Sequence, residues 1–220
     1  MSYVRILCIP ALLMLLWPAR AQAQPKVPAT PTAPPPATPA TPAPAKSTWP
    51  GYDLALDEMA QKNFAAACPR LEEVVRMAPN EPLPLSTLGE CNEGWGRLAT
   101  AYGLYRRAEQ AAVAKGDQEQ SKKAQAKITE LEPRLSRLTL EVPQDVAATP
   151  GVVVNFDRQP LDRQLWGAPL FVDRGEHSLE VLVPGRSPWV RKVPVETDGE
   201  SYLVKVNIKV SPPNAGQNPY

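Results

Sequence analysis

Between Asp53 and Ala114 the apolar positions lay down one pattern twice, at a constant interval. Phe64, Ala67, Leu71 and Val74 in the first copy are matched by Leu98, Ala101, Tyr105 and Ala108 in the second. The offsets of 3, 4 and 3 put each set on one face of a helix. The spacing predicts a first helix over Asp53 to Met59, with Leu54 and Ala55 packing. A second follows from Asn63, the cap before Phe64, to Ala78-Pro79-Asn80. Pro82 and Pro84 open a third, with Leu85, Leu88 and Cys91 as its apolar face, and Gly94 and Gly96 mark the break after it. The fourth runs from Leu98 to Ala114, where Gly116 stops it. A pair of antiparallel helices cannot bury its apolar face alone and must stack on a neighbour, so this stretch reads as a recognition surface and not as a reaction centre.

The helical period continues from Asp117 to Leu138 through Ala124, Ile128, Leu131, Leu135 and Leu138, spaced 4, 3, 4 and 3. Such a stripe suits a last helix that covers the open end of a stack. Pro133 lies inside it and removes a backbone donor, and because the stripe keeps its phase across the proline a kink is expected there. After Leu138 the period becomes two. Leu138, Leu140 and Val142 alternate with polar residues, and Val152 to Asp157, Leu170 to Val172, His177 to Val183, Trp189 to Val195 and Tyr202 to Val210 follow. Turn residues separate them at Arg158-Gln159-Pro160, Asp173-Arg174-Gly175, Pro184-Gly185 and Asp198-Gly199. Short strands at this spacing indicate a small antiparallel sandwich of about 70 residues. The fold class expected is therefore α+β in two domains: an antiparallel helical-repeat array over 51–137 and a β-sandwich over 138–210, with a tail at 211–220.

The segment ahead of the helices has a different composition. Arg5 precedes the apolar run Ile6 to Trp17, and Ala19-Arg20-Ala21 and Ala21-Gln22-Ala23 follow, which is the pattern of an exported chain cut after Ala21 or Ala23. Pro10 and Pro18 shorten the apolar run below the roughly 20 residues that a spanning helix needs. Cys8 lies well before the cleavage site, which argues against lipidation, and no later segment is apolar enough to span a bilayer. Residues 1–23 are thus expected to be a signal peptide and the chain to reach the periplasm or cell surface. Ten prolines fall between Pro25 and Pro50, interleaved with Ala and Thr, so 24–50 is expected to be an extended spacer with too little apolar surface to fold.

Two cysteines remain after cleavage. Cys68 lies as far before Pro79 as Cys91 lies after Asn80. Residues equidistant from the turn of an antiparallel helix pair meet at one height, although spacing alone leaves the helix rotation open. In an exported chain the expectation is a disulfide, the other reading being two buried thiols that act as small apolar residues.

With 24 Lys and Arg against 23 Asp and Glu, the chain has no clustered basic excess to favour nucleic acid. One histidine and three cysteines are too few for a zinc site of the usual kind, and no phosphate loop or metalloprotease motif occurs, so no metal and no cofactor are expected. Asp157 and Asp162 flank a turn near His177, but Ser178 is its strand neighbour and points to the other face. No catalytic constellation is expected.

The residues Leu85-x2-Leu88-Gly89, Ala101-x3-Tyr105 and Ala108, with Ala67-x3-Leu71, Val74 and Pro79, resemble the tetratricopeptide repeat. Gly51, Glu58 and Asn92 depart from its usual large or aromatic residues, and Lys122 and Lys123 stand where a third copy would need small ones. The resemblance implies recognition of a protein or peptide on the concave face. Tyr52, Leu56 and Met59 from one helix and Ser86, Glu90 and Glu93 from the next would supply that face, unless the first three simply pack into the core. Gly175-Glu176-His177-Ser178-Leu179-Glu180-Val181 and Val183-Pro184-Gly185-Arg186 are similar to the PEGA domain, a small surface-associated β-sandwich, over most of Pro150 to Val210. Val153-x-Asn155-Phe156-Asp157 and Gly167-Ala168-Pro169 fit the same pattern. Helical repeats and such a module behind a signal and a spacer resemble exported bacterial proteins. The function expected is a non-enzymatic envelope scaffold or adaptor. The alternative is binding of carbohydrate or peptidoglycan through the β domain, with Trp166 in the loop 162–168 as the exposed aromatic and Trp189, by its phase, in the core.

Overall fold

The computed structural model describes residues 48–208. The expected signal segment with Cys8, the spacer up to residue 47 and the tail lie outside the described residues.

Five α-helices come first: α1 (Tyr52–Ala60), α2 (Phe64–Met77), α3 (Pro82–Gly94), α4 (Leu98–Lys115) and α5 (Gln118–Leu131). Each packs on the next, and the first repeated face lies in one apolar cluster while most of the second lies in another, shared with α5. Ala67, Leu71 and Val74 are fully buried, Phe64 packs on the same core, and Leu98, Ala101, Tyr105 and Ala108 are buried in turn. Asn63 occupies the cap position of α2, but through its backbone carbonyl, which accepts from the amides of Ala66 and Ala67, and not through its side chain. Gly116 closes α4 in the left-handed region at φ 72°, where glycine has no Cβ penalty. Asp117 then caps α5 by accepting from the Gln120 amide at 3.0 Å. Among the described residues no helix is long and apolar enough to cross a membrane.

Small residues set how closely the helices approach. A Cβ on Gly89 would lie 2.8 Å from the ring of Tyr105, and one on Gly94 would lie 2.5 Å from the ring of Phe64. Each aromatic ring therefore rests directly on a glycine of α3. Cys68 of α2 and Cys91 of α3 form a disulfide with a Cα–Cα distance of 5.7 Å, and both are fully buried. Closing this loop contributes about 3 kcal/mol in the chain-entropy picture.

The end of the helical region differs from the expected kinked helix over 117–138. Pro133 has no amide to donate, so α5 stops at Leu131, a 3-10 turn covers Glu132–Arg134, and the chain is extended from Leu135 onward. The leucine stripe is consequently shared. Leu135 closes a cluster with Tyr102, Tyr105, Ile128 and Leu131, whereas Leu138 lies in the core of the β module.

That module contains β1 (Ser136–Glu141), a short helix α6 (Gln144–Ala147), β2 (Val153–Phe156), β3 (Gln159–Pro160), β4 (Pro169–Val172), β5 (Gly175–Leu182), β6 (Trp189–Val195) and β7 (Ser201–Lys205). One sheet has the order β4-β1-β7 and the other β3-β2-β5-β6. Leu138, Leu140 and Val204 from the first and Val154, Leu179, Val181, Val193 and Val195 from the second share one apolar core, which makes a sandwich. Most pairings are antiparallel, but β1 and β7 run parallel with Leu138 opposite Tyr202. The β2–β3 turn is Asp157-Arg158, at φ 47° and 67°, one residue earlier than the sequence pattern suggested. Among the described residues the last strand ends at Lys205, and α6 was not anticipated.

Gly94→Ala and Gly89→Ala are expected to destabilise the oxidised chain by about 1–3 kcal/mol, since a methyl there meets an aromatic ring. Gly103→Ala, in α4 with open space beside it, should instead stabilise by roughly 0.5–1 kcal/mol. Urea unfolding of the three variants tests this, and equal effects at all three sites would contradict the close approach.

Candidate functional site

The inner face of the helical array is a groove of about 270 Å³ between α1, α3 and α5, with Tyr105 of α4 at its floor. Tyr52 and Leu56 reach it from α1, Leu83, Ser86, Thr87 and Glu90 from α3, and Gln120, Lys123, Ala124 and Lys127 from α5. The three contributing helices are offset by the repeat: Tyr52, Ser86 and Gln120 occupy equivalent positions, as do Leu56, Glu90 and Ala124. Four of the six residues expected on this face are thus brought together. Glu93 sits at the margin, bonded to Tyr105 and Lys127, and Met59 packs against the helical core instead. Tyr52 is both buried in the core and part of the groove wall.

The polar groups are ordered by their depth. Thr87 Oγ1 donates to the Leu83 carbonyl at 2.9 Å, so the Tyr52 hydroxyl, 2.7 Å away, donates to Thr87. Burial raises the Tyr52 pKa against the opposing effect of that bond. Tyr105 donates to Glu93 at 2.9 Å, and burial together with the Glu93 carboxylate pushes its ionisation well above the phenol range. Lys127 bonds Glu130 at 3.1 Å and Glu93 at 3.3 Å; burial works against its charge, but the two carboxylates more than offset that and its pKa is raised. Lys123 is held by Glu119 at 2.7 Å. Glu90 has no hydrogen bond or ion pair among the described residues. Burial raises its pKa, Lys127 and Lys123 oppose that rise and Glu93 adds to it. Leu56 and Leu83 stay 39% and 43% exposed on the groove walls, and Ser86 Oγ is enclosed without a hydrogen-bond partner. The groove therefore combines exposed leucines, an unpaired carboxylate and two fixed lysines. It holds no nucleophile–base pair.

Sequence reading missed Lys123, Lys127 and Gln120. The signal was present in the repeat interval, which places Lys127 after Glu93 as it places Glu93 after Met59. The absence of small residues at 122 and 123 hid it.

In the β module, Trp166 lines a wider cleft of about 640 Å³ with Glu141, Arg163 and Lys205. Its indole donates to the Leu161 carbonyl at 3.3 Å, its ring packs on the sandwich core, and the Arg163 guanidinium lies 5.1 Å from the ring centre. Trp189 packs against the same core. His177 forms an acid–imidazole pair, with Nδ1 2.7 Å from Asp157 Oδ2, but its Nε2 lies 2.8 Å from the Asp173 carbonyl. Both ring nitrogens are engaged, so the pair has no nitrogen left to activate a nucleophile.

The β module is fastened to the array at the start of α4. Arg97, in the cap position, makes no side-chain capping bond. Asp173, in the turn between β4 and β5, supplies it: Oδ1 accepts from the amides of Ala99 at 2.7 Å and Thr100 at 3.1 Å, and Oδ2 accepts from the Thr100 hydroxyl at 2.6 Å. Phe171 of β4 meets Tyr102 edge-on at 5.2 Å, beneath the Arg137 guanidinium.

No family model and no curated protein matches this chain. Among solved structures it is similar to a tetratricopeptide repeat domain protein from Salinibacter ruber, at 25% identity over 37% of this chain and 82% of that one, with a TM-score of 0.35. It is also similar to a protein from Bordetella parapertussis, at 26% identity over 36% of this chain and 70% of that one, with a TM-score of 0.34. The tetratricopeptide-like character of the helical part rests on its own packing, in which two successive helix pairs bury equivalent positions and a final helix covers the end.

Thr87→Val strands the buried Tyr52 hydroxyl and is expected to cost about 1–3 kcal/mol, whereas Tyr52→Phe should cost only about 1 kcal/mol because Thr87 keeps its bond to Leu83. Thermal unfolding of both variants measures the difference.

Proposed function

We propose that this chain is a non-enzymatic scaffold or adaptor of the bacterial envelope, exported through its N-terminal segment, which takes a protein or peptide partner in the groove between α1, α3 and α5. The observation that supports this best is the convergence of Tyr52, Leu56, Ser86 and Glu90 on one concave face with two leucines left exposed there. Exposed apolar side chains beside polar groups of fixed geometry suit a peptide that presents apolar residues and a cation for Glu90. The PEGA-like sandwich supports the array and holds it in the envelope.

Photo-crosslinking from position 83 in the native envelope, read by mass spectrometry, should yield a discrete partner adduct that position 113, exposed on α4, does not give. Identical adducts from both positions would remove the groove from the account. The contact to Glu90 carries a sign as well. Because burial raises its pKa, a cationic partner should be released as pH falls through a value above that of an ordinary glutamate, and Glu90→Gln should abolish that dependence.

A second reading, carbohydrate or peptidoglycan binding by the β module, draws support from the cleft beside Trp166. Retention of the full chain on insoluble cell wall, lost in Trp166→Ala, would favour it. Retention unaffected by that substitution would count against it.

A further inference from the structure

We propose that His177 is an acid-closed clasp that fixes the β-sandwich to the N-terminus of α4. The imidazole lies between two acceptors, the Asp157 carboxylate at 2.7 Å from Nδ1 and the Asp173 carbonyl at 2.8 Å from Nε2. A neutral imidazole carries one N–H and can donate to only one of them; the imidazolium donates to both. On loss of the proton the carboxylate, the stronger acceptor, keeps the remaining N–H. A nitrogen lone pair then faces the carbonyl oxygen of Asp173. Asp173 is the residue whose side chain caps α4, with bonds of 2.7, 3.1 and 2.6 Å to Ala99 and Thr100. Protonation of one ring is thereby coupled to the junction between the two modules.

The charged groups packed around this contact are themselves held by partners. Asp157 is itself held by the Ser178 amide at 2.8 Å, and the Phe156 ring stacks on the imidazole at 5.2 Å. Across the strand pair His177 faces Val193, while Lys192 of β6 is bonded to Glu176 at 2.8 Å. Arg174, next to Asp173, is held by two bonds to Asp198 at 2.8 and 2.7 Å, and Arg97 lies over Trp95 at 3.5 Å. Burial lowers the His177 pKa, but Asp157 and the Asp173 carbonyl outweigh it and the net shift is upward. A raised folded value means that the clasp's contribution is complete below the ordinary imidazole value of about 6.5 and is lost as pH rises through the folded value.

Amide exchange of the full, oxidised chain, followed by NMR across this pH range and corrected for intrinsic rates, reads the clasp directly. Protection of Ala99 and Thr100 should fall by about tenfold or more as His177 loses its proton, the size of one charge-assisted hydrogen bond. Amides in the middle of β5 should not change, which shows that the sandwich stays folded. In His177→Gln the inflection should vanish. In Asp157→Asn, which keeps the ring and removes its charged partner, the inflection should move to lower pH. Protection at Ala99 and Thr100 that is level across the His177 titration would overturn the proposal, as would an inflection that persists unmoved in either variant.

Discussion

The start of helix α4 is capped by a residue far along the chain. Its cap position is an arginine that makes no side-chain capping bond, and the Asp173 carboxylate accepts from two of its first amides. An unsatisfied helix start is costly, and a carboxylate there also meets the positive end of the helix dipole. Helix α4 stands between the array and the sandwich, packed on α3, α5 and β4. One face buries against α3, another against α5, its Tyr102 meets Phe171 of the sandwich, and its Tyr105 forms the groove floor. The two modules are thus joined by directional bonds as well as by the short connection through Pro133.

The same helix links stability to the groove. Tyr105 fits because Gly89 has no side chain, and its hydroxyl fixes Glu93, which in turn holds Lys127 from α5. A packing decision in the core therefore decides where a lysine stands on the concave face. Two ion pairs, Glu93–Lys127 and Glu81–Lys115, join residues one repeat apart. Both are partly exposed and small in energy, of the order of 1 kcal/mol or less. Their role is to set orientation: they consume Lys127 and Glu93 and leave Glu90 as the groove carboxylate open to a cation.

Much of this was legible along the chain. The offsets of 3, 4 and 3, laid down once from Phe64 and again from Leu98, determined which side chains of α2 and α4 are buried, because on a helix spacing fixes the face. The switch to period two indicated the β module, and the symmetric placement of Cys68 and Cys91 about one turn put them at one height, whereas the helix rotation that turns the two sulfurs toward each other was decided by the packing of α2 on α3. The resemblance to the tetratricopeptide repeat implied one face of Tyr52, Leu56, Met59, Ser86, Glu90 and Glu93; four of them line the groove, while Met59 packs on the core and Glu93 stands at the margin. Tertiary structure alone decided the remainder. Leu138 fits both the helical stripe and the extended period that continues to Leu140, and the missing amide of Pro133 is what ended the helix before it. Pro69 sits inside α2, where local rules would break it, yet the helix continues through it, flanked by the fully buried Ala67, Cys68 and Leu71. The parallel pairing of β1 with β7, the capping of α4 by Asp173 and the two acceptors around His177 join groups that are remote in sequence. Local periodicity carries no record of such contacts, since it specifies which way a side chain faces and not which distant group will be waiting there.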